Sequence, residues 1–373
     1  MPRLTDRRSF LAALTAGLAG CGASTREATE TGTSTPTSTR SPTASATATA
    51  TPETTSEPVP TREWPDEYYD GPLISVHEHM IGSDGYAVAR DDLGWYVDWM
   101  SRNRVERVVA ITGDPLMDAV GRYDDRLIPS AFAYNEFLDE FDTAVESFQQ
   151  RLAEYDYRAI GEMRPPYDMV EDPPAMDHET LLGVYDLAAE AGVPVLLHGP
   201  EVYRHSEETL ENAEDPLDFP KWRNLEAAYA HNRDTQFVVH STYNWDEMTD
   251  GAIAAGVLER NPNVTYDLSG RELTPFAYED GEMTERRFEE LIAERGVRGH
   301  AEEFYEEHAT ILEEYSDRLA WGLDAGHEWH YTDWVLDTWV DITRAVLGRL
   351  PEENARDIGY RNAAELFGLD VTR

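Results

Sequence analysis

Leu73-Ile74-Ser75-Val76-His77-Glu78-His79 is an apolar run that ends in His-x-His. Read as a buried strand, it delivers two imidazoles to one place, because side chains at i and i+2 of a strand share a face. His77 and His79 then form a metal pincer, and Glu78 turns the other way. A strand end that merely carries two histidines has the same local sequence, so the rest of the chain must decide.

Beyond this run the chain alternates short apolar segments with longer amphipathic ones, the pattern of βαβ units and a parallel sheet. Strands are expected near residues 72–77, 105–111, 126–134, 157–162, 193–198, 235–240, 263–268 and 318–323. Helices are expected at 88–101, 137–154, 178–191, 220–231, 246–259, 284–314 and 332–348, the third capped by Asp177 and ended by Gly192. Eight such repeats predict an α/β fold, a closed (β/α)8 barrel of TIM type. The irregular stretches 163–177, 199–219 and 269–283 follow strands and therefore lie over its active face.

Several of these strands end in a residue that can ligate a metal or move a proton. Ala159-Ile160-Gly161-Glu162, Val195-Leu196-Leu197-His198, Phe237-Val238-Val239-His240 and Trp321-Gly322-Leu323-Asp324 each do so. Any one of them has a plain explanation as a helix cap or a satisfied core imidazole. Together with His77 and His79 they fall on one rim, the carboxyl edge where barrel enzymes keep their chemistry. Imidazoles and carboxylates with no thiolate suit a catalytic zinc site that leaves positions for water, and manganese or iron suits the same donors.

These residues, with Asn263-Val264-Thr265-Tyr266-Asp267-Leu268-Ser269 and the closing Tyr360-Arg361-Asn362-Ala363-Ala364-Glu365-Leu366-Phe367-Gly368-Leu369, resemble the amidohydrolase superfamily over about residues 70–370. The branch it is most similar to is typified by aminocarboxymuconate-semialdehyde decarboxylase and its hydrolase relatives. The resemblance implies a metal-dependent hydrolase fold in which His77, His79 and Asp324 bind a divalent metal and His198 is a further ligand. It makes His240 either a second-metal ligand or a catalytic acid/base. Glu162 departs from the mononuclear decarboxylase pattern and is similar to the bridging carboxylate of binuclear branches, so one or two ions are open. The residues after Asp324 also depart, reading Ala325-Gly326-His327-Glu328-Trp329-His330.

The chemistry expected is hydrolysis of a small-molecule ester, lactone, amide or similar bond, with Asp324 or His240 taking a proton from metal-activated water. A metal-dependent decarboxylase of a small carboxylic acid is the rival enzyme, and a non-catalytic surface solute-binding lipoprotein the rival of another class. Arg164, Arg271, His327 and His330 are candidates to contact substrate, the arginines by gripping a carboxylate bidentately. His178, His231, His300 and His308 are expected to be solvated or to cap helices.

The amino-terminal region sets the location. Asp6-Arg7-Arg8-Ser9-Phe10-Leu11 and the short apolar segment after it resemble a twin-arginine export signal, and Leu18-Ala19-Gly20-Cys21 resembles a lipobox. The resemblance implies that residues 1–20 are a signal peptide and that Cys21, the sole cysteine, carries a lipid. Residues 21–60 are Ser, Thr, Ala and Pro with little to bury, a tether that cannot offset its ordering entropy. The barrel takes residues 61–373, and the expected location is the outer face of the cytoplasmic membrane, contacted only through the lipid.

The 373 residues carry 31 Lys+Arg against 73 Asp+Glu, a net charge of −42. The signal (Arg3, Arg7, Arg8 against Asp6) is +2 and the tether (Arg26, Arg40 against Glu27, Glu30, Glu53, Glu57) is −2, so the barrel holds all −42. Such a field repels phosphate backbones, which excludes nucleic acid as a partner. It is best tolerated where salt screens it, with a Debye length of about 3 Å at 1 M. The acidity therefore reports habitat, and the partner left is a small molecule.

Overall fold

A computed structural model describes residues 59–80, 93–132, 141–163, 175–198, 220–240, 252–273, 278–279 and 282–370. The expected signal, lipid site at Cys21 and tether lie outside the described residues, as do Arg164 and the side chain of Arg271.

Eight parallel strands run in sequence order: β1 (Leu73–His79), β2 (Val105–Thr112), β3 (Leu127–Ala131), β4 (Ala159–Met163), β5 (Val195–His198), β6 (Phe237–His240), β7 (Val264–Ser269) and β8 (Leu319–Gly322). The sheet curls until its ends meet. Past the end of β8, Leu323 and Asp324 donate their backbone N–H to His77 O at 3.1 and 3.0 Å, and His79 N–H donates to Ala325 O at 3.3 Å. The result is a nearly closed (β/α)8 barrel, as the repeats predict.

The helices are α1 (Gly94–Arg102), α2 (Ala144–Glu154), α3 (Glu179–Ala191), α4 (Pro220–His231), α5 (Ala252–Arg260), α6 (Glu285–Glu314) and α7 (Asp333–Leu347). A short helical turn, Met117–Val120, fills the β2–β3 connection, where the sequence shows no helical signal. The cap of α3 is His178 and not Asp177: its side chain accepts from Thr180 N–H, while Gly192 ends the helix in the left-handed conformation at φ 67°. Helix α6 is bent at Gly296, whose φ of 69° is open to glycine but strained for other residues. His300 and His308 on α6 are buried rather than solvated, and His300 Nε2–H reaches back across the bend to Leu291 O at 3.1 Å. Burial holds the His300 pKa below its ordinary value.

Alternation along the strands sorts the apolar residues into two cores. Tyr266, Leu268, Trp321, Leu323, Leu197 and Val239 join the outer core between sheet and helices. Ile74, Val76, Val109, Ile111, Ile128, Leu196, Val238 and Ala320 fill the inside of the barrel. Tyr360, Ala363, Ala364 and Phe367 from the carboxyl-terminal segment pack on that inner set. Asn362 Nδ2–H donates to Leu319 O at 2.6 Å, at the start of β8, so this segment plugs the amino-terminal mouth. The opposite mouth is left for chemistry.

The chain segment leading into β1 is fastened to α7. Arg344, wholly buried, donates to Tyr69 O and Gly71 O at 2.8 Å and to Asn103 O at 2.7 Å, with its guanidinium 4.0 Å above the Trp64 ring. Burial lowers its pKa to about 9, because three carbonyls replace the water a cation would otherwise keep.

Candidate metal centre

Three of the expected residues arrive inside the barrel by simple alternation. On β5 and β6 the apolar Leu196 and Val238 point inward, so His198 and His240 two residues later do as well. On β8, Ala320 points inward, and Gly322 and Asp324 keep that phase. Asp324 has a φ of 55°, a left-handed conformation that aspartate tolerates better than most residues.

Strands β1 and β4 are different. Ile74 and Val76 point inward, so unbroken alternation would send Glu78 into the barrel and His77 and His79 out of it. The β1–β2 register shifts between Ser75 and Glu78, where Ser75 Oγ–H donates to His77 O at 3.0 Å. This irregularity resets the phase: His77 and His79 enter the barrel, and Glu78 is buried on the other side within electrostatic reach of Tyr96 and Tyr331. Burial raises the Glu78 carboxyl well above its ordinary pKa. On β4 the shift falls between Ile160 and Met163. Gly161 has a φ of 117°, and a Cβ there would lie 2.2 Å from Leu196 O, so glycine alone fits. The turn it permits brings Glu162 inside.

The donors converge closely. His77 Nε2 and His79 Nε2 are 3.0 Å apart. Glu162 Oε2 lies 3.9 Å from His77 Nε2 and 3.5 Å from His79 Nε2, and Asp324 Oδ1 lies 3.6 and 3.1 Å from the same two nitrogens. Tetrahedral bonds of about 2.0–2.2 Å place donors roughly 3.3–3.6 Å from one another, and each carboxylate oxygen approaches the two imidazole nitrogens at distances near that range. The donor chemistry agrees, since two imidazole nitrogens meet beside two carboxylates. His240 stands alongside, its Nε2 3.4 Å from Asp324 Oδ2. The groupings able to hold an ion among the described residues are His77/His79/Glu162 and His77/His240/Asp324. His198 belongs to neither; its ring centroid lies 5.5 Å from that of His240.

Electrostatics follow the geometry. Burial alone would raise the Glu162 pKa, but His198, His77, His79 and His240 together bring it down to about 2. For His77, burial and His240 pull the pKa down, yet the hydrogen bond to Asp267 and the charges of Asp324 and Glu162 prevail and raise it. The site is thus a negative basket that keeps cationic partners in place.

Asp267 was not among the residues singled out by strand ends. It is fully buried on β7, and its Oδ2 lies 2.8 Å from His77 Nδ1 and 3.2 Å from His240 Nδ1. Alternation holds the signal that finds it: with Tyr266 and Leu268 in the outer core, Asp267 must point inward.

The substrate candidates divide. His327 is exposed, and its ring accepts from the His330 N–H. His330 is buried, its Nδ1 accepting from Gly326 N–H and His327 N–H at 2.9 and 3.2 Å, which ties it to the loop after β8. His231 is partly exposed and pairs with Asp186 at 3.1 Å.

No family model and no curated protein matches the chain. Solved structures do. A TIM-barrel protein from Bordetella bronchiseptica matches with a TM-score of 0.50 at 14% identity, over 79% of this chain and 98% of that one. A dihydroxybenzoic acid decarboxylase from Polaromonas with bound manganese scores 0.46 at 13% identity, over 80% and 97%. A probable 2-pyrone-4,6-dicarboxylic acid hydrolase from Acinetobacter baumannii scores 0.46 at 12% identity, over 80% and 99%. At such identity the first of these likenesses supports the barrel fold alone.

Proposed function

We propose that the chain is a metal-dependent enzyme of the amidohydrolase type that hydrolyses an ester, lactone, amide or similar bond in a small molecule. The observation that carries this reading is the approach of Glu162 and Asp324 to His77 and His79 at 3.1–3.9 Å, with His240 beside them, at the carboxyl-terminal end of the strands. These four residues would hold a divalent cation, zinc by donor type, with manganese or iron suited as well. When bound, it supplies a Lewis acid and lowers the pKa of water.

The protein's own groups do the rest. Asp324 offers Oδ1 to the cation position and turns Oδ2 toward His240 Nε2, so a proton taken from water can be shared between them and passed to the leaving group. Glu162 stays ionised and contributes negative charge. The apolar floor of Ile74, Val76, Leu196 and Val238 excludes water from below, which strengthens each interaction above it.

Export and lipid anchoring at Cys21 are part of the same reading, motivated by the arginine pair and the lipobox-like sequence. The test is elemental analysis of the purified protein, followed by a screen of the metal-loaded form in high salt against esters, lactones, amides and phosphoesters. Carbon dioxide release from small carboxylic acids without hydrolytic turnover would make it a decarboxylase. Metal-free protein without turnover would overturn the proposal in favour of solute binding.

A further inference from the structure

We infer that Asp267 is a positioning residue that sets the ring tautomers of two site histidines at once, and that Gly322 exists as the seat of its carboxylate; this rests on the proposed metal site. Asp267 Oδ2 is shared by His77 Nδ1 and His240 Nδ1, at 2.8 and 3.2 Å. An ionised carboxylate only accepts, so both Nδ1 atoms carry the hydrogen. Both Nε2 atoms then present lone pairs toward the carboxylates of the site, His77 as a ligand and His240, beside Asp324 Oδ2, as a group that can take a proton. One buried oxygen therefore links metal binding on β1 to acid–base chemistry on β6.

The carboxylate is held by shape as well as by these bonds. A Cβ on Gly322 would lie 2.3 Å from Asp267 Oδ1, 2.9 Å from Cγ and 3.0 Å from Oδ2. Its three nearest neighbours are all atoms of that one group. β7 and β8 pair in parallel, with Asp267 opposite Ala320, so the carboxylate leans along the partner strand into the space the missing side chain leaves. Any larger residue at 322 would push Oδ2 away from the two rings. Gly322 φ is ordinary, so the requirement for glycine here is space and not backbone conformation.

The experiment is a double-mutant cycle read by zinc affinity, using competition with a chromophoric chelator on the full protein. Asp267→Ala and Gly322→Ala should each weaken zinc binding about 10–100-fold, as loss of a partner behind a ligating imidazole does. Gly322→Ala made in the Asp267→Ala background should add less than about twofold, because the atoms it would strike are gone. Asp267→Asn keeps the shape but removes the charge, so the two ring N–H groups meet a weaker neutral oxygen or an N–H in place of the carboxylate. Nitrogen–proton NMR of the metal-free protein should then show the Nδ1–H form lose population in one or both histidines, which a purely structural role would not produce.

Additive losses in the cycle would mean that Gly322→Ala acts through Asp324, and would overturn the seat. Wild-type zinc affinity and unchanged tautomers in Asp267→Asn would overturn the positioning role while leaving the metal site standing. A wild-type protein that binds no zinc would instead defeat the proposed function itself.

Discussion

Glu162→Gln separates one ion from two. Glu162 Oε2 stands 3.5 Å from His79 Nε2 and 3.9 Å from His77 Nε2, the two nitrogens that Asp324 Oδ1 also approaches. If the four donors share one cation, the substitution takes the carboxylate from one ligand of four. Four-donor zinc sites bind with about 10–16 kcal/mol, so one ligand accounts for roughly 2.5–4 kcal/mol and its loss weakens affinity about 10²–10³-fold. Elemental analysis should find one equivalent in wild type, and chelator competition should find the weaker constant in the variant. Two equivalents in wild type falling to one would show Glu162 to be a bridge and refute the single-ion geometry. An unchanged constant would remove Glu162 from the ligand set altogether.

Metal should stabilise the protein more at pH 8 than at pH 6. The metal-free His77 pKa is raised, so its pairing with carboxylates contributes stability at low pH that is lost as pH rises through the folded value, just where deprotonated imidazoles bind metal best; melting temperatures with and without zinc at both pH values check this. Arg344→Leu should cost about 3–5 kcal/mol in a denaturant titration, because the carbonyls of Tyr69, Gly71 and Asn103 lose a charged donor in a dry site. The melting temperature should rise between dilute and molar KCl, since −42 is self-repulsive in dilute buffer; a flat or falling curve contradicts the salt-adapted reading. Arg7→Lys with Arg8→Lys should retain the protein inside the cell, and Cys21→Ser should release it from the membrane, both scored by fractionation.

The barrel was legible because each strand is a short apolar run, and burial on both faces demands such runs. His198, His240 and Asp324 were legible because plain alternation carries them inward. The facing of His77, His79 and Glu162 depends on phase resets at Ser75 and Gly161, which a period-two reading cannot see. The inward facing of His77 and His79 on β1 is thus signalled only by the His-x-His spacing, while the inward apolar pair Ile74 and Val76 argues for the opposite face. Asp267 escaped attention because it sits within a strand and not at its end. The buried His300 and His308 look like surface residues in sequence, since acidic neighbours surround them on α6 and only tertiary packing covers them.

The closure of the barrel between β8 and β1 governs when the site comes into existence. Ser75 Oγ accepts from Leu323 N–H across 248 residues of chain. At a synthesis rate of about 5–20 residues per second, His77 and His79 wait some 12–50 s for Asp324 to follow them. A nascent chain therefore holds two imidazoles and Glu162 without the final carboxylate, and captures metal weakly. Full affinity appears only when the last strand docks on the first, so the ion would act as a rivet across the join and metal retention would report that the ring has been completed.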